Sequence, residues 1–372
     1  MRVAVIGDPH LGCSTYTDKR ASDFSRQFNR AVEISIKSDV QAVFLLGDIF
    51  DSSAYRRNID NFASSLSEVA KSFLSLKNHA IPIFAIAGNH EYGRGRGGGE
   101  IRILSDLGFL RFLDDSVTEF AGYEIAGISW KTSVESFRES IKKLGHPKAN
   151  SILLMHQFCY GSAVVPQLIA EVNRKDLEGW PIVFTGHHHH YEDLGYVLSP
   201  GSLEVREAKE LGTKGFVIYD TKTHSHEFIK LPSSRTVRYA KIDGQGRTAP
   251  DLEEEIGRWI KSNSSAGALL VVELSGRLSS GRSVDVNWNV LRSIAIQNGC
   301  LKLHFEGALE DQVRSAPEIR ASVNINEFLR KRFGARGKTA AQYVDSFKEQ
   351  GDDFGSSILT QIVEKIKKGP RK

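Results

Sequence analysis

The chain opens on MRVAVIGDPHLG, residues 1–12, in which the apolar run Val3 to Ile6 passes straight into Gly7, Asp8, Pro9 and His10. An apolar run this short, ended by a glycine and a polar cluster, has the pattern of a buried strand whose carboxyl end opens into a loop. The pattern recurs along the chain. Ala42 to Leu46 leads into Gly47-Asp48-Ile49-Phe50-Asp51, Ile83 to Ile86 into Gly88-Asn89-His90-Glu91, Ile152 to Met155 into His156-Gln157, and Ile182 to Phe184 into Gly186-His187-His188-His189. Between the second and third runs, Ile59, Phe62, Leu66, Val69, Phe73 and Leu76 step by three or four, the spacing of an amphipathic helix. Strands alternating with helical stretches predict an α/β layered fold, and in such sheets loops beyond the carboxyl ends of the strands gather on one edge.

Further along, Gly215 to Tyr219 and His226 to Leu231 read as two more strands, and Leu231, Pro232, Ser233 and Ser234 as a linker. From about Arg235 to Ala321 the alternation of Val237, Tyr239 and Lys241, a helical stretch Asp251 to Lys261, and strands at Leu269 to Leu274 and Leu301 to Phe305 predict a small α+β module. Glu327 to Lys372 carries two apolar-spaced segments expected to be helices. The expected organisation is therefore residues 1–231, 235–321 and 327–372, in line with two or three packed units for 372 residues.

Composition narrows the class. Hydrophobic residues at 40% and charged residues at 25% exclude a disordered, collagen-like or coiled-coil chain. No apolar run reaches the roughly 18 residues a membrane span needs, and Met1 begins a strand pattern instead of a leader, so a soluble, unexported protein is expected. Cys13, Cys159 and Cys300 are odd in number and far apart, which favours buried thiols in a reducing compartment over a disulfide framework. The net charge of +4 belongs to the tail, where Glu327 to Lys372 holds 11 Lys+Arg against 6 Asp+Glu; a mild excess of this kind favours an acidic or polyanionic partner.

The five strand-end clusters offer carboxylate, imidazole and amide oxygen without cysteine, a set suited to borderline and hard divalent ions such as Mn²⁺ rather than to structural zinc or copper. His187 to His190 lie mid-chain between a β run and Tyr191-Glu192, which argues against an affinity tag. In an extended segment alternate residues share a face, so His187 and His189 can ligate together while His188 and His190 turn away to a structural or rim role.

The order DxH, GDxxD, GNHE, H, GHxH resembles the calcineurin-like metallophosphoesterase superfamily over about residues 1 to 231. Within it, Asp8-Pro9-His10-Leu11-Gly12, Gly47-Asp48-Ile49-Phe50, His156-Gln157 and Ser199-Pro200-Gly201-Ser202-Leu203-Glu204 are similar to the Mre11 type of double-strand-break repair nuclease and its bacterial SbcD relatives. The resemblance implies a metallophosphoesterase sandwich, a small capping domain and a helical tail. It implies two Mn²⁺ ions per subunit, one held by Asp8, His10, Asp48 and His189 and the other by Asp48, Asn89, His156 and His187, with Asp48 shared. A shared carboxylate sets two cations about 3.5 to 4 Å apart, the spacing that clamps a phosphate for hydrolysis. His90 should face substrate and donate a proton or hydrogen bond, a task that suits imidazole. Asp51 can accept the other ring N–H of His90. Such an Asp–His pair occurs in the phosphatase branch and in SbcD relatives, whereas many Mre11 nucleases carry a histidine where Asp51 stands.

Basic loops near the clusters, at Lys19-Arg20, Arg56-Arg57 and Arg94 with Arg96, are candidate contacts to DNA phosphates, with Arg277 and Arg282 in the second module as further candidates; solvated loops would look the same. The resemblance implies homodimerisation through the helix at Ile59 to Leu76 and the stretch after Glu100. It also implies that Phe328, Phe333, Tyr343, Phe347, Ile358, Ile362 and Ile366, too many large apolar residues for so short a helical pair to bury alone, dock on the coiled-coil base of a Rad50 type ATPase; docking on the chain itself is the competing expectation. The expected activity is 3′ to 5′ exonuclease and single-strand endonuclease action on DNA ends in homologous recombination, at the nucleoid of a prokaryotic cytoplasm. The rival activities are a phosphoesterase for nucleotides or phosphoproteins and a DNA-tethering scaffold. Ser52 stands where protein phosphatases commonly have arginine, which weighs against that branch, and the full ligand set gives no reason to expect inactivity.

Overall fold

The strands of the first half obey a two-residue period on both faces. In β1 (Arg2–Ile6), Val3 and Val5 point into one core while Ala4 and Ile6 point into another. In β2 (Ala42–Leu46), Phe44 and Leu46 divide from Val43 and Leu45 in the same way, which is why such strands read as unbroken apolar runs. The computed structural model describes residues 1–51, 59–92, 98–160, 172–210 and 212–310, all within one unit spanning 1–312.

Further strands are β3 (Ile83–Ile86), β4 (Arg111–Phe112), β5 (Ser116–Phe120), β6 (Tyr123–Ile128), β7 (Ser151–His156), β8 (Cys159–Tyr160), β9 (Val172–Asn173) and β10 (Ile182–Gly186). They are followed by β11 (Glu192–Asp193), β12 (Val197–Ser199), β13 (Lys214–Asp220) and β14 (Ser225–Leu231). Two six-stranded sheets result, in the orders β14-β13-β1-β2-β3-β4 and β11-β12-β10-β7-β6-β5. Between them lies a core of Val3, Val5, Phe44, Phe84, Ile152, Leu154 and Phe184, in which the Phe44 ring meets Phe84 and Phe184 at centroid distances of 5.9 and 6.1 Å. On the outer face of the first sheet pack α1 (Ala21–Lys37), α2 (Ile59–Asn78) and α4 (Gly99–Asp106), with α3 (Asn89–Tyr92) as a short turn after β3; Phe137 of α5 (Val134–Leu144) packs on the second. This is the helix, sheet, sheet, helix layering of a metallophosphoesterase.

The last strands, β15 (Val237–Asp243), β16 (Leu269–Ser275) and β17 (Lys302–Gly307), form a parallel three-stranded sheet joined through α6 (Ala249–Asn263) and α7 (Trp288–Gln297). Leu252, Ile256, Ile260 and Leu291 of the helices cover one face of it, while Val237, Leu269 and Val271 meet Val205 and Ala208 on the other.

The stretch read as a linker is fastened to the body. Gln27 donates to the Pro232 carbonyl at 2.6 Å, the Ser234 N–H donates to Glu204 at 2.7 Å, and Arg235 grips buried Asp23 with two bonds of 2.8 and 3.0 Å while also reaching the Gly267 carbonyl. Removing the bidentate partner of a buried carboxylate leaves an under-compensated charge, which Arg20, 3.8 Å away, meets only in part. Arg235→Met is therefore expected to lower unfolding stability by about 2 kcal/mol, read as a lower urea midpoint; an unchanged midpoint would show that the pair carries no stability.

Candidate metal centre

All five clusters sit at the carboxyl ends of β1, β2, β3, β7 and β10, on the edge shared by the two sheets. The chain turns sharply there. Asp8, His10, Asp48 and His187 adopt φ of 42°, 46°, 46° and 74°, left-handed backbone that non-glycine residues hold only where their surroundings over-determine it. Those surroundings are visible in the hydrogen bonds. The His10 N–H donates to the Asp48 carbonyl at 2.9 Å, the His187 N–H to Asp8 Oδ1 at 3.0 Å, and the His90 N–H to Asp48 Oδ1 at 2.8 Å. Glu91, fully inside the protein, accepts from the N–H groups of Asp48, Phe50 and Gly88 at 2.9, 2.9 and 2.8 Å and so binds the β2 loop to the β3 loop. The approach of these loops leaves room only for glycine at 88, because a Cβ there would lie 2.1 Å from Asp48 Oδ1.

Two of the imidazoles, His156 and His189, are oriented by an outer partner that leaves Nε2 facing inward, the arrangement that fixes a metal-binding tautomer. His156 Nδ1 donates to the Leu46 carbonyl at 2.6 Å, and its Nε2 lies 3.5 Å from Asp48 Oδ2 and 3.2 Å from Asn89 Oδ1. His189 Nδ1 pairs with Glu210 at 2.7 Å, and its Nε2 faces His10 Nε2 at 3.0 Å. Ligand atoms of Asp8, His10 and His189 form one group within 4.8 Å of one another, and those of Asp48, His156 and His187 another; a third group joins His10, Asp48 and His90. The structure thus brings together the seven residues singled out in the sequence, with Asp48 in the middle.

The donors fit a divalent cation. Asp8 Oδ2 is buried without a hydrogen-bond partner, which a cation would supply, and the Nε2 atoms of His10 and His189, 3.0 Å apart, lie close enough to ligate one ion together. Burial pushes His10 down to about 3 and His187 down to about 2, which keeps both imidazoles neutral and able to ligate. Burial raises Asp8 to about 6, against the pull of His156 and His189. On His156 burial works against the charge, but Asp48 and Asp8 outweigh it and carry the group up to about 9.

His90 lies at the rim, its side chain 12% exposed where His10 is fully covered. Asp51 is not its private partner. Asp51 Oδ2 stands 3.7 Å from His90 Nδ1, 3.4 Å from His10 Nδ1 and 2.9 Å from Arg206 Nε. Burial opposes ionisation of Asp51, yet His10 and Arg206 hold it well below the usual carboxylate range.

One basic candidate is overturned. Arg20 is completely buried and donates to the carbonyls of Val205 and Arg206, so it braces the backbone and cannot meet DNA. Its fate was hidden because the groups it donates to are the main-chain carbonyls of a segment some 185 positions away, which leave no trace in residue types. Lys19 is exposed; Arg277 pairs with Glu310 at 2.7 Å and Arg282 with Asp285 at 3.3 Å, both on the surface. Arg56, Arg57, Arg94 and Arg96, and all of Phe328, Phe333, Tyr343, Phe347, Ile358, Ile362 and Ile366, lie outside the described residues. His188 turns into the protein, 3.7 Å from Glu192. Sequence inspection missed Glu210, Arg206 and Lys214, whose Nζ donates to the His189 carbonyl at 2.7 Å; Glu91 stood in a quoted cluster without a role.

The calcineurin-like phosphoesterase family model matches residues 1–217. The chain belongs to this family. Similar to it are archaeal proteins called DNA double-strand break repair protein Mre11. That of Archaeoglobus fulgidus is 30% identical over 326 residues, covering 77% of this chain and 70% of the relative, which puts the phosphoesterase in the Mre11 group. That of Sulfolobus acidocaldarius is 32% identical over 165 residues, 42% of this chain and 41% of the relative, and that of Methanosarcina mazei 25% identical over 375 residues, 88% and 55%. The chain thus spans about half the length of these last two.

If the cluster of this phosphoesterase takes up divalent cations, Mn²⁺ added to EDTA-treated protein should raise its unfolding free energy, by about 2.7 kcal/mol at a hundredfold excess over Kd. Asp48→Asn should lose most of that gain, and Asp114→Asn, at a carboxylate that pairs with Arg102 at 2.8 Å outside the ligand groups, none of it, as measured by calorimetric Tm with and without the ion; an equal gain in both variants would place binding elsewhere.

Proposed function

We propose that the chain is a manganese-dependent DNA nuclease, acting on double-strand break ends as a 3′ to 5′ exonuclease and single-strand endonuclease in partnership with a Rad50 type ATPase. The observation that carries the hydrolytic part is the convergence of Asp8, His10, Asp48, Asn89, His156, His187 and His189 on one sheet edge. The choice of DNA is supported by the double-strand break repair name borne by its Mre11 relatives.

In this reading Asp8, His10, Asp48 and His189 hold one Mn²⁺ and Asp48, Asn89, His156 and His187 the second. Bound there, the ions supply Lewis-acid charge for the phosphate and lower the pKa of a water molecule. The chain does the rest. Asp48 serves both sites, Glu91 and Gly88 keep its loop in register, and Leu46 and Glu210 fix the tautomers of His156 and His189. His90, from the rim, donates a proton or hydrogen bond to the leaving oxygen or the phosphate, and Asp51 orients it.

Residues 1–231 form the catalytic domain, 235–321 a capping domain that contacts DNA, and 327–372 the segment for the ATPase. Homodimerisation through α2 and α4 accords with the exposure of Leu74 on α2, Ile103 on α4 and Leu107 just after it. No helix among the described residues is long and apolar enough to cross a membrane.

Linear duplex with Mn²⁺ should release mononucleotides, and His90→Ser should slow cleavage at least about 100-fold while leaving Mn²⁺ and DNA binding intact. Undiminished cleavage would remove His90 from the chemistry. Turnover of bis(4-nitrophenyl) phosphate with none of DNA would favour a small-substrate phosphoesterase, and no turnover of either would favour a tethering protein.

A further inference from the structure

Beyond the metal cluster, the segment that follows Ser202 brings Arg206 to the site, held through both its main chain and its side chain. Its carbonyl accepts from Arg20 Nη1 at 3.1 Å and its N–H donates to Glu210 Oε2 at 3.3 Å, so the main chain is held from both sides. Its Nε donates to Asp51 Oδ2 at 2.9 Å and its Nη1 to Glu207 at 2.9 Å. The guanidinium is 20% exposed and the carboxylate it grips is fully buried.

The oxygen it grips is the one both imidazoles share. Asp51 Oδ2 is 3.4 Å from His10 Nδ1 and 3.7 Å from His90 Nδ1, and those two rings meet edge to face at 4.8 Å. A buried carboxylate between two imidazoles can close on either one. Closing on His10 would draw it from His90, and closing on His90 would release a ring meant to face the metal cluster. A guanidinium resists this, because its N–H groups are directional, it stays charged, and its own position is set by the 205–210 segment.

We propose that Arg206 is a positioning residue for the nuclease reaction: by pinning Asp51 midway between His10 and His90 it holds His10 toward the metals and His90 toward the scissile phosphate at once. The assignment rests on the nuclease reading above. It differs from a DNA-phosphate contact, for which the exposed part of an arginine would otherwise be taken, since a positioning residue acts on the chemical step and a phosphate contact acts mainly on binding.

The test uses the full chain with saturating Mn²⁺ and linear duplex DNA, fitting kcat and KM separately for wild type, Arg206→Ala and Arg206→Lys and recording Tm and Mn²⁺ stoichiometry for each. Arg206→Ala is expected to lower kcat about 30-fold with KM within about twofold, keep the wild-type Mn²⁺ stoichiometry, and recover several-fold when millimolar guanidinium, but not urea, is added. Arg206→Lys should fall between the two, having the charge without the fork. Three results would overturn the assignment: wild-type kcat in Arg206→Ala, a rise confined to KM, or lost activity that follows a lower Tm with neither guanidinium rescue nor retention in the lysine variant. The same series on bis(4-nitrophenyl) phosphate separates this proposal from the nuclease reading. A wild type active on the diester and silent on DNA contradicts that reading, while the Arg206→Ala deficit on the diester still decides the role of Arg206.

Discussion

The Asp48 carboxylate, 1% exposed, is the point on which the rest of the structure closes. Its Oδ2 stands 3.5 Å from His156, 3.9 Å from His10 and 3.9 Å from His90, and its Oδ1 accepts the His90 N–H. A carboxylate taken out of water at this depth needs positive or hydrogen-bonding partners on every side. The imidazoles supply them in part, and the orphaned Asp8 oxygen nearby shows that the protein atoms alone leave the cluster short of positive charge. The fold around it therefore has to bring five strand ends to one place and keep them there against their mutual repulsion.

It does so with a ring of supports that are not themselves ligands. Glu91 joins the loops after β2 and β3, the Leu46 carbonyl sets His156, and Glu210 from the segment before β13, with Lys214 at the start of that strand, sets His189. The same segment carries Arg206 to Asp51, and its neighbour Lys209 pairs with Glu273 of β16 at 2.7 Å. Strained backbone at Asp8, His10, Asp48 and His187 is tolerated because these bonds leave no alternative. The left-handed turns aim successive side chains back over the sheet edge, where a relaxed loop would carry them into solvent.

Much of this was legible in residue order. β1, β2, β3, β7 and β10 are buried on both faces and so appear as apolar runs, and the polar residues that end them can belong only to a loop at the sheet edge. α2 and α6 announced themselves by period. α1 carries the same period in Phe24, Phe28, Ala31 and Val32 and was passed over all the same; what the period does not reveal is that its buried face also holds Asp23, Gln27 and Ser35, which anchor Arg235, Glu204 and their own helix. β5 was silent, its exposed and half-covered residues alternating without an apolar run. Among functional residues, those whose chemistry is intrinsic stood out by type. Arg20, Arg206 and Glu210 could not, because their roles come from partners some 20 to 190 positions away, across contacts that only the folded chain creates.

The central claim is that the strand tips meet to hold two cations with Asp48 between them. Crystals of the protein grown with excess Mn²⁺, with data collected at the manganese absorption edge, test it most directly. The account predicts two anomalous peaks per chain on either side of the Asp48 carboxylate, one beside Asp8 and His189 and the other beside His156 and His187; a single peak, or none, at this edge of the sheets would contradict it.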